Sequence, residues 1–228
     1  MNPPTAPVTG RLITFIGGDG AGKSTLAARL HQALNDAGHD AILVSKHSTS
    51  VPAEPELSAY LNRLNELVYR RDPSVAKACG DHYWLLALAS WYTLQDRLVV
   101  RPALAAGIHV VLDNAHHKIL ARYAVNPEVP ARLTEQVFAH LTEPDLVFFL
   151  DITAREALAR KGSFTSLESG HSGGGSEDFI RYQDIVLSQM REQAADGGWH
   201  SLAVAGMDRD QVFKAAAAKL ADRLRLTV

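Results

Sequence analysis

Eight consecutive residues, Gly17-Gly18-Asp19-Gly20-Ala21-Gly22-Lys23-Ser24, follow the spacing GxxxxGK[ST]. Glycines let successive backbone N–H groups turn inward around an anion, and a helix that begins at the loop's end adds the positive end of its dipole. A lysine at the seventh position reaches the β- and γ-phosphates of a nucleoside triphosphate, and the following hydroxyl can ligate Mg²⁺. Lys23 and Ser24 are therefore expected to take those two roles. A second carboxylate contact to the metal belongs at the carboxyl end of a neighbouring strand. Asp113, which closes the run Val110-Val111-Leu112, has that position.

Such a loop works only between a strand that delivers it and a helix that receives the phosphate. Both flanks are present. Leu12, Ile13, Phe15 and Ile16 form a short apolar run ahead of the glycines, and Leu26, Leu30 and Leu34 then recur every four residues until Gly38. A second apolar run, Ala41 to Ser45, completes a βαβ unit with a parallel sheet. Helical spacing of Leu57, Leu61, Leu64 and Val68 predicts a helix from Glu56 to Arg71, and another is expected from about His82 to Val100, ending ahead of Pro102. Strands are expected at 109–112, 146–150 and 202–205, with helices near 130–141, 154–161, 177–195 and 208–225. Thr153 with Glu156, and Asp208 with Gln211, have capping-box spacing. This order predicts an α/β fold of P-loop NTPase type: a five-stranded parallel sheet flanked by helices on both faces. Residues 1–10, with three prolines, read as a loose arm, and 11–228 as one domain. The segment SFTSLESGHSGGGS, Ser163 to Ser176, is rich in glycine and serine and reads as a mobile loop within that domain.

Composition narrows the function classes. The chain has 228 residues, 46% hydrophobic, with 23 basic against 25 acidic side chains, which leaves no electrostatic footprint for nonspecific nucleic-acid binding. Cys79 is its only cysteine, so disulfide scaffolds, zinc ribbons and CxxC redox pairs are excluded. No stretch approaches the ~18–20 apolar residues of a membrane span, and the start MNPPTAPVTG lacks a signal-peptide layout, so a cytoplasmic protein is expected. The neighbours His116 and His117 are expected to point apart, with no Cys or carboxylate at ligand spacing, which argues against zinc. Trp84, Trp91 and Tyr92 read as core and pocket wall. Two absences separate P-loop activities: there is no NKxD guanine-reading motif, and Asn114 follows Asp113 where hydrolytic motors carry a catalytic Glu. Transfer to a bound acceptor is favoured over attack by water.

The run Ile13 to Thr25 (ITFIGGDGAGKST) resembles the P-loop of thymidylate kinases. Softer motifs agree along most of the domain: Asp96-Arg97, then Arg101-Pro102-Ala103-Leu104-Ala105-Ala106-Gly107, Pro144-Asp145-Leu146, Leu150-Asp151-Ile152, Glu156-Ala157-Leu158-Ala159-Arg160 and Phe179 to Tyr182. The resemblance implies ATP as phosphoryl donor with Mg²⁺, bound by Gly17, Asp19, Gly20, Ala21, Gly22, Lys23, Ser24 and Thr25. It implies Lys23, Asp113 and Arg160 as catalytic residues, a lid at about 160–176, a nucleoside monophosphate acceptor with dTMP as default, and a homodimer. Asp19 would face the acceptor's sugar and Arg97 would read its base.

The departures cluster on the acceptor side. Asn114 stands where the family has an arginine that grips the acceptor's phosphate, Thr93 where it has an aromatic ring, and Ile16 where it has Glu; Ser163 to Ser176 contains no arginine. Lys118 and Arg122, one helical turn apart beyond Asn114, are candidates to take over anion binding. The acceptor-side set is thus Asp19, Thr93, Arg97, Asn114, Lys118 and Arg122. Two other readings stay open at this level: a kinase on the same scaffold with a nucleoside or specialised metabolite as acceptor, and a nucleotide-binding module without transfer.

Overall fold

A computed structural model describes residues 10–52, 54–70, 73–113, 115–162 and 175–228. Five parallel strands, β1 (Leu12–Gly17), β2 (Ala41–Val44), β3 (His109–Asp113), β4 (Leu146–Asp151) and β5 (His200–Ala203), lie in the order β2-β3-β1-β4-β5. The intervening helices are α1 (Lys23–Asp36), α2 (Pro55–Tyr69), α3 (Pro73–Gln95, broken by a kink at Gly80, φ 72), α4 (Arg101–Ala105), α5 (His117–Ala124), α6 (Ala131–Phe138), α7 (Ala154–Lys161), α8 (Ser176–Asp196) and α9 (Arg209–Leu224).

Alternation along the central strands decides which helices cover which face. Ile13 and Phe15 of β1 share one face with Leu146, Phe148 and Leu150 of β4, beneath Leu26, Leu30 and Leu34 of α1 and Leu220 of α9. The Phe15 and Phe148 rings stack there at 5.3 Å. Ile16, Val147 and Phe149 face the opposite way, onto Ala121 of α5 and Val186, Leu187 and Met190 of α8. Both faces are thereby sealed, as a buried parallel sheet requires. A separate apolar cluster joins α2, α3, α5 and α6 through Leu61, Leu85, Trp91, Ile119 and Phe138, and the buried Trp84 and Tyr92 belong to it. Two amides fasten this helical layer to the end of β2: Gln95 donates to Ser45 O at 2.8 Å and Asn65 donates to Lys46 O.

Most expected elements are present, and both capping boxes form, at Thr153/Glu156 and Asp208/Gln211. Three differences have local causes. The helix foreseen to stop before Pro102 instead runs through a π-helical turn, Asp96–Val100, directly into α4, with Pro102 in the first turn of α4. Proline is tolerated there because its missing N–H is one that a helix start leaves unpaired anyway. Strand β5 sits two residues earlier than expected, because pairing with β4 sets its register (Phe148↔His200 to Asp151↔Ala203) while the polar His200 and Ser201 conceal it in the sequence. Gly10, assigned to the arm, is buried and donates to Leu104 O at 2.9 Å. Residues 1–9 and the greater part of the expected lid, 163–174, lie outside the described residues.

His116 and His117 correct another expectation: their rings do not diverge but stack at 4.2 Å. His116 also stacks on Phe138 at 5.2 Å, and Trp199 meets His117 edge-on at 4.9 Å. Burial holds the His117 pKa down to about 4, and burial together with His117 and His140 holds His116 lower still. Both rings are neutral in the fold, so between the unfolded value of 6.5 and about 4 the unfolded chain binds protons that the folded one does not. Their contribution is complete above that window and declines as pH falls through it. Urea unfolding at pH 7 and pH 5 is expected to show a loss on the order of 2 kcal/mol per ring, reduced in His116→Asn. Equal pH dependence in the variant would contradict the neutral assignment.

Candidate active site

Strand β1 delivers the glycine loop at the carboxyl edge of the sheet, where two close approaches forbid a side chain. Gly17 has φ 147, and a Cβ there would lie 2.6 Å from Leu150 O; Gly20 has φ 88, and its Cβ would lie 2.5 Å from Ala157 O. The loop thus rests against β4 and α7. At its far end Gly22 caps α1 in the left-handed region (φ 94), with no side-chain cap bond and no acidic residue in the first turn. The N–H groups of Lys23, Ser24 and Thr25 at this helix start are left for an anion, in the arrangement that suits phosphate oxygens. Lys23 Nζ donates to Gly18 O at 2.7 Å, so its ammonium is folded back over the loop it serves. Ser24 is exposed in the first turn of α1. Asp113 ends β3 opposite Phe15 of β1, beside the strand that carries the loop. Ser24 and Asp113 supply the hard oxygen donors that Mg²⁺ prefers, and the uncapped helix start suits the phosphates that accompany it.

The loop's carboxylate is not free. Asp19 Oδ1 accepts from Lys118 Nζ at 2.5 Å, and Oδ2 faces Arg122 Nη2 at 3.6 Å. Both cations come from α5, and i/i+4 spacing puts them on one face of it. Burial pushes the Asp19 carboxyl up, but Lys118, Lys23 and Arg122 outweigh it and hold the group well below the usual carboxylate range. Burial drives Lys118 the other way, down to about 7, aided by Arg122 and Lys23 and opposed by Asp19. Two buried polar atoms in this cluster, Asp19 Oδ2 and Arg122 Nε, have no hydrogen-bond partner. One carboxylate facing Lys23, Lys118 and Arg122 leaves a net positive site, matched to a polyanion.

The remaining expected residues are more dispersed. Arg160 lies in the last turn of α7, and its Nη2 donates to Val204 O at 3.0 Å just after β5, on the opposite side of β1 from α5's strand neighbour β3. Arg97 is exposed on the π-helical turn, while its neighbour Asp96 is buried and bonded to Arg101 at 2.6 Å. Thr93 commits its hydroxyl to Ala89 O at 2.7 Å and His140 Nε2 at 2.8 Å. Among the described residues, no hydrogen bond or ion pair joins Thr93 or Arg97 to the Asp19 cluster. Asn114 lies outside the described residues. Ile16 is buried under α8, so this departure is a packing residue.

Two further residues have a claim on the site, Lys46, which carries no motif, and Tyr182, which closes the run Phe179 to Tyr182. Lys46 lies two positions beyond Val44, which pairs with Leu112 two positions before Asn114, so it stands on the same carboxyl edge; its ammonium lies 5.9 Å from the Tyr69 ring. A lysine directly after an apolar strand run was the available signal. Tyr182 of α8 is half-buried beside Arg122; burial and Asp81 raise its pKa while Arg122 lowers it.

Comparison with known proteins agrees with this geometry. The thymidylate kinase family model matches residues 15–196. The thymidylate kinase of Chlorobaculum parvum is 30% identical over 195 residues, covering 84% of this chain and 82% of the relative. That of Ruegeria pomeroyi is 30% identical over 188 residues (82% and 84%), and that of Dinoroseobacter shibae 34% over 154 (66% and 69%). A phosphate loop seated between β1 and α1, with Asp113 at the neighbouring strand end and similarity running from the loop through α8, places the chain in the thymidylate kinase family.

Proposed function

We propose that the chain transfers the γ-phosphoryl group of ATP to a nucleoside monophosphate, with dTMP as the acceptor. The observation that carries this reading is the buried pair Lys118 and Arg122, held on Asp19 beside a loop whose helix start is uncapped. Two anions can thus be received at neighbouring places. The loop N–H groups and Lys23 take the ATP phosphates, and Lys118 with Arg122 take the acceptor's phosphate where Asn114 offers no charge. Asp19 keeps the two cations apart from Lys23 and orients them toward the incoming ester. Arg97 reads the acceptor's base, and Thr93, its hydroxyl already bonded, presents its methyl group one helical turn earlier. Arg160 serves the nucleotide side. Mg²⁺, held by Ser24 and Asp113, would neutralise charge on the transferring phosphates. Catalysis of this kind is mainly positioning and charge neutralisation along an in-line path.

The family relation and the exposed Cys79 support a soluble enzyme of a reducing compartment, the cytoplasm. No described helix is long and apolar enough to cross a membrane. A homodimer is supported by an apolar stripe: Leu57, Tyr60 and Leu67 of α2 and Tyr83 and Leu86 of α3 are exposed, although α2 and α3 otherwise turn apolar residues inward. Large apolar side chains left exposed on two packed helices suit an association surface.

In an ADP-release assay with ATP, Mg²⁺ and dTMP, Lys23→Ala is expected to lower turnover by about a thousandfold or more with the fold intact. Arg122→Ala is expected to raise the dTMP KM by about tenfold or more. Wild-type turnover in the first variant, or an ordinary dTMP KM in the second, would remove that residue from the site. Sedimentation of wild type and of Tyr60→Glu/Leu86→Glu tests the stripe: a dimer that becomes a folded monomer is expected, and an unaltered dimer would place the interface elsewhere.

A further inference from the structure

The carboxylate of Asp19 lies where an anion from outside would have to bind. Lys118 Nζ meets its Oδ1 at 2.5 Å and Arg122 Nη2 stands 3.6 Å from its Oδ2, and among the described residues neither cation forms an ion pair with any other carboxylate. The three side chains are enclosed together, with 11% of Lys118, 16% of Arg122 and 21% of Asp19 exposed. Asp19 is therefore already an occupant of the place assigned above to the acceptor's phosphate.

Its fit there is incomplete. One negative charge faces two cations of α5 and, from its own loop, Lys23. The oxygens of one carboxylate cannot serve all the N–H groups of an ammonium and a guanidinium, and within the cluster Asp19 Oδ2 and Arg122 Nε stay without a hydrogen bond. Burial, with Arg122 and Lys23, holds the Lys118 pKa down to about 7 against the pull of Asp19, so the cluster carries more positive charge than that carboxylate balances. A buried ion pair stabilises a fold only when its remaining protons and lone pairs are satisfied. This one is suited to exchange instead. Release of the carboxylate needs no movement of the loop, whose backbone is fixed at Gly17 against Leu150 O and at Gly20 against Ala157 O. Rotation about the Asp19 Cα–Cβ bond is enough.

Charge decides what can displace it. A phosphate monoester, with a second pKa of about 6, is largely a dianion at neutral pH, and its two charges match Lys118 and Arg122 together. A monoanion brings no more charge than the carboxylate it would evict, and the eviction leaves Asp19 unpaired. Selectivity then comes from a built-in repulsive element as well as from the attraction.

We propose that Asp19 is a specificity-determining residue: an internal anion that occupies the acceptor-phosphate site until a dianionic monoester displaces it, and that bars monoanions of the same shape. The inference rests on the assignment of Lys118 and Arg122 to the acceptor's phosphate.

Thymidine, dTMP and thymidine 5′-sulfate, a monoanion of the same shape as dTMP, titrated calorimetrically at about pH 7 into wild type and Asp19→Asn, test it. Wild type is expected to bind the sulfate ester no more tightly than thymidine, and dTMP more tightly than both. Asp19→Asn is expected to bind dTMP about tenfold or more tightly than wild type does, and to bind the sulfate ester about tenfold or more tightly than thymidine. A wild type that binds the sulfate ester as tightly as dTMP, or dTMP affinity that is unchanged or lower in Asp19→Asn, would overturn the inference and leave Asp19 a structural counter-ion. Equal wild-type affinities for thymidine and dTMP would instead remove the acceptor assignment, and the inference with it. The wild-type comparison needs no variant. Because Asp19→Asn uncovers two buried cations, its melting is followed in inorganic phosphate and in chloride at constant ionic strength. Phosphate is expected to raise the thermal midpoint of the variant more than that of wild type, and an equal rise would contradict the exchange.

Discussion

The proposed acceptor side depends on one largely buried contact, the ion pair between Asp19 of the glycine loop and Lys118 of α5. Removing two charges from water is costly, and the pair is tolerated because it is close, at 2.5 Å, and because Arg122 stands by as a second counter-charge. Its consequence is positional. The glycine loop is fixed below by β4 and α7, through contacts that leave no space for a side chain at Gly17 or Gly20. Asp19 then links that rigid loop to α5, so the cations assigned to the acceptor are set relative to those assigned to ATP. Breaking the pair by removing one partner would leave a buried charge uncompensated.

Helix α5 is short, eight residues, yet each of its faces has a different task. Ile119 and Tyr123 pack into the helical layer with Trp91 and Phe138, and Ala121 lies against the sheet beneath α8. Lys118 and Arg122 turn to the loop, while His117, Leu120 and Ala124 line a cavity of about 330 Å³ that α5 shares with α6, the end of α8 and Trp199. Gln193 of α8 braces the same helix, its amide oriented so that nitrogen donates to His117 O at 3.3 Å and oxygen accepts from Ala121 N at 3.2 Å. A helix packed against the helical layer, the sheet and the loop has little freedom to adjust, which suits its proposed role of holding two cations at a fixed place.

The glycine loop and its flanking elements were legible in the sequence because their requirements are local. Eight residues in a row, a strand before and a helix after, suffice to define a phosphate cradle, and the capping boxes at Thr153 and Asp208 are likewise contained within four residues. What escaped was set by contacts distant in the chain. Asp19 and Lys118 are 99 positions apart, and no spacing rule marks them as partners. The stacking of His116 on His117 depends on Phe138 and Trp199, which belong to other elements. Strand β5 took its register from β4 rather than from its own apolar residues, and Pro102 opened a helix where a stop was expected, because a proline's effect depends on its place in the turn. The cavity behind α5 has no sequence signature, since its walls come from three helices and the loops beside them.

Whether Lys118 and Arg122 receive the acceptor's phosphate is read from the affinities of dTMP and thymidine, compared by calorimetry. The two differ only in the phosphate. Wild type is expected to bind dTMP about a hundredfold or more tightly than thymidine, and Lys118→Met/Arg122→Met to erase most of that difference while leaving thymidine affinity nearly unchanged. Equal affinities in wild type, or a preference for dTMP that survives in the double variant, would contradict that assignment.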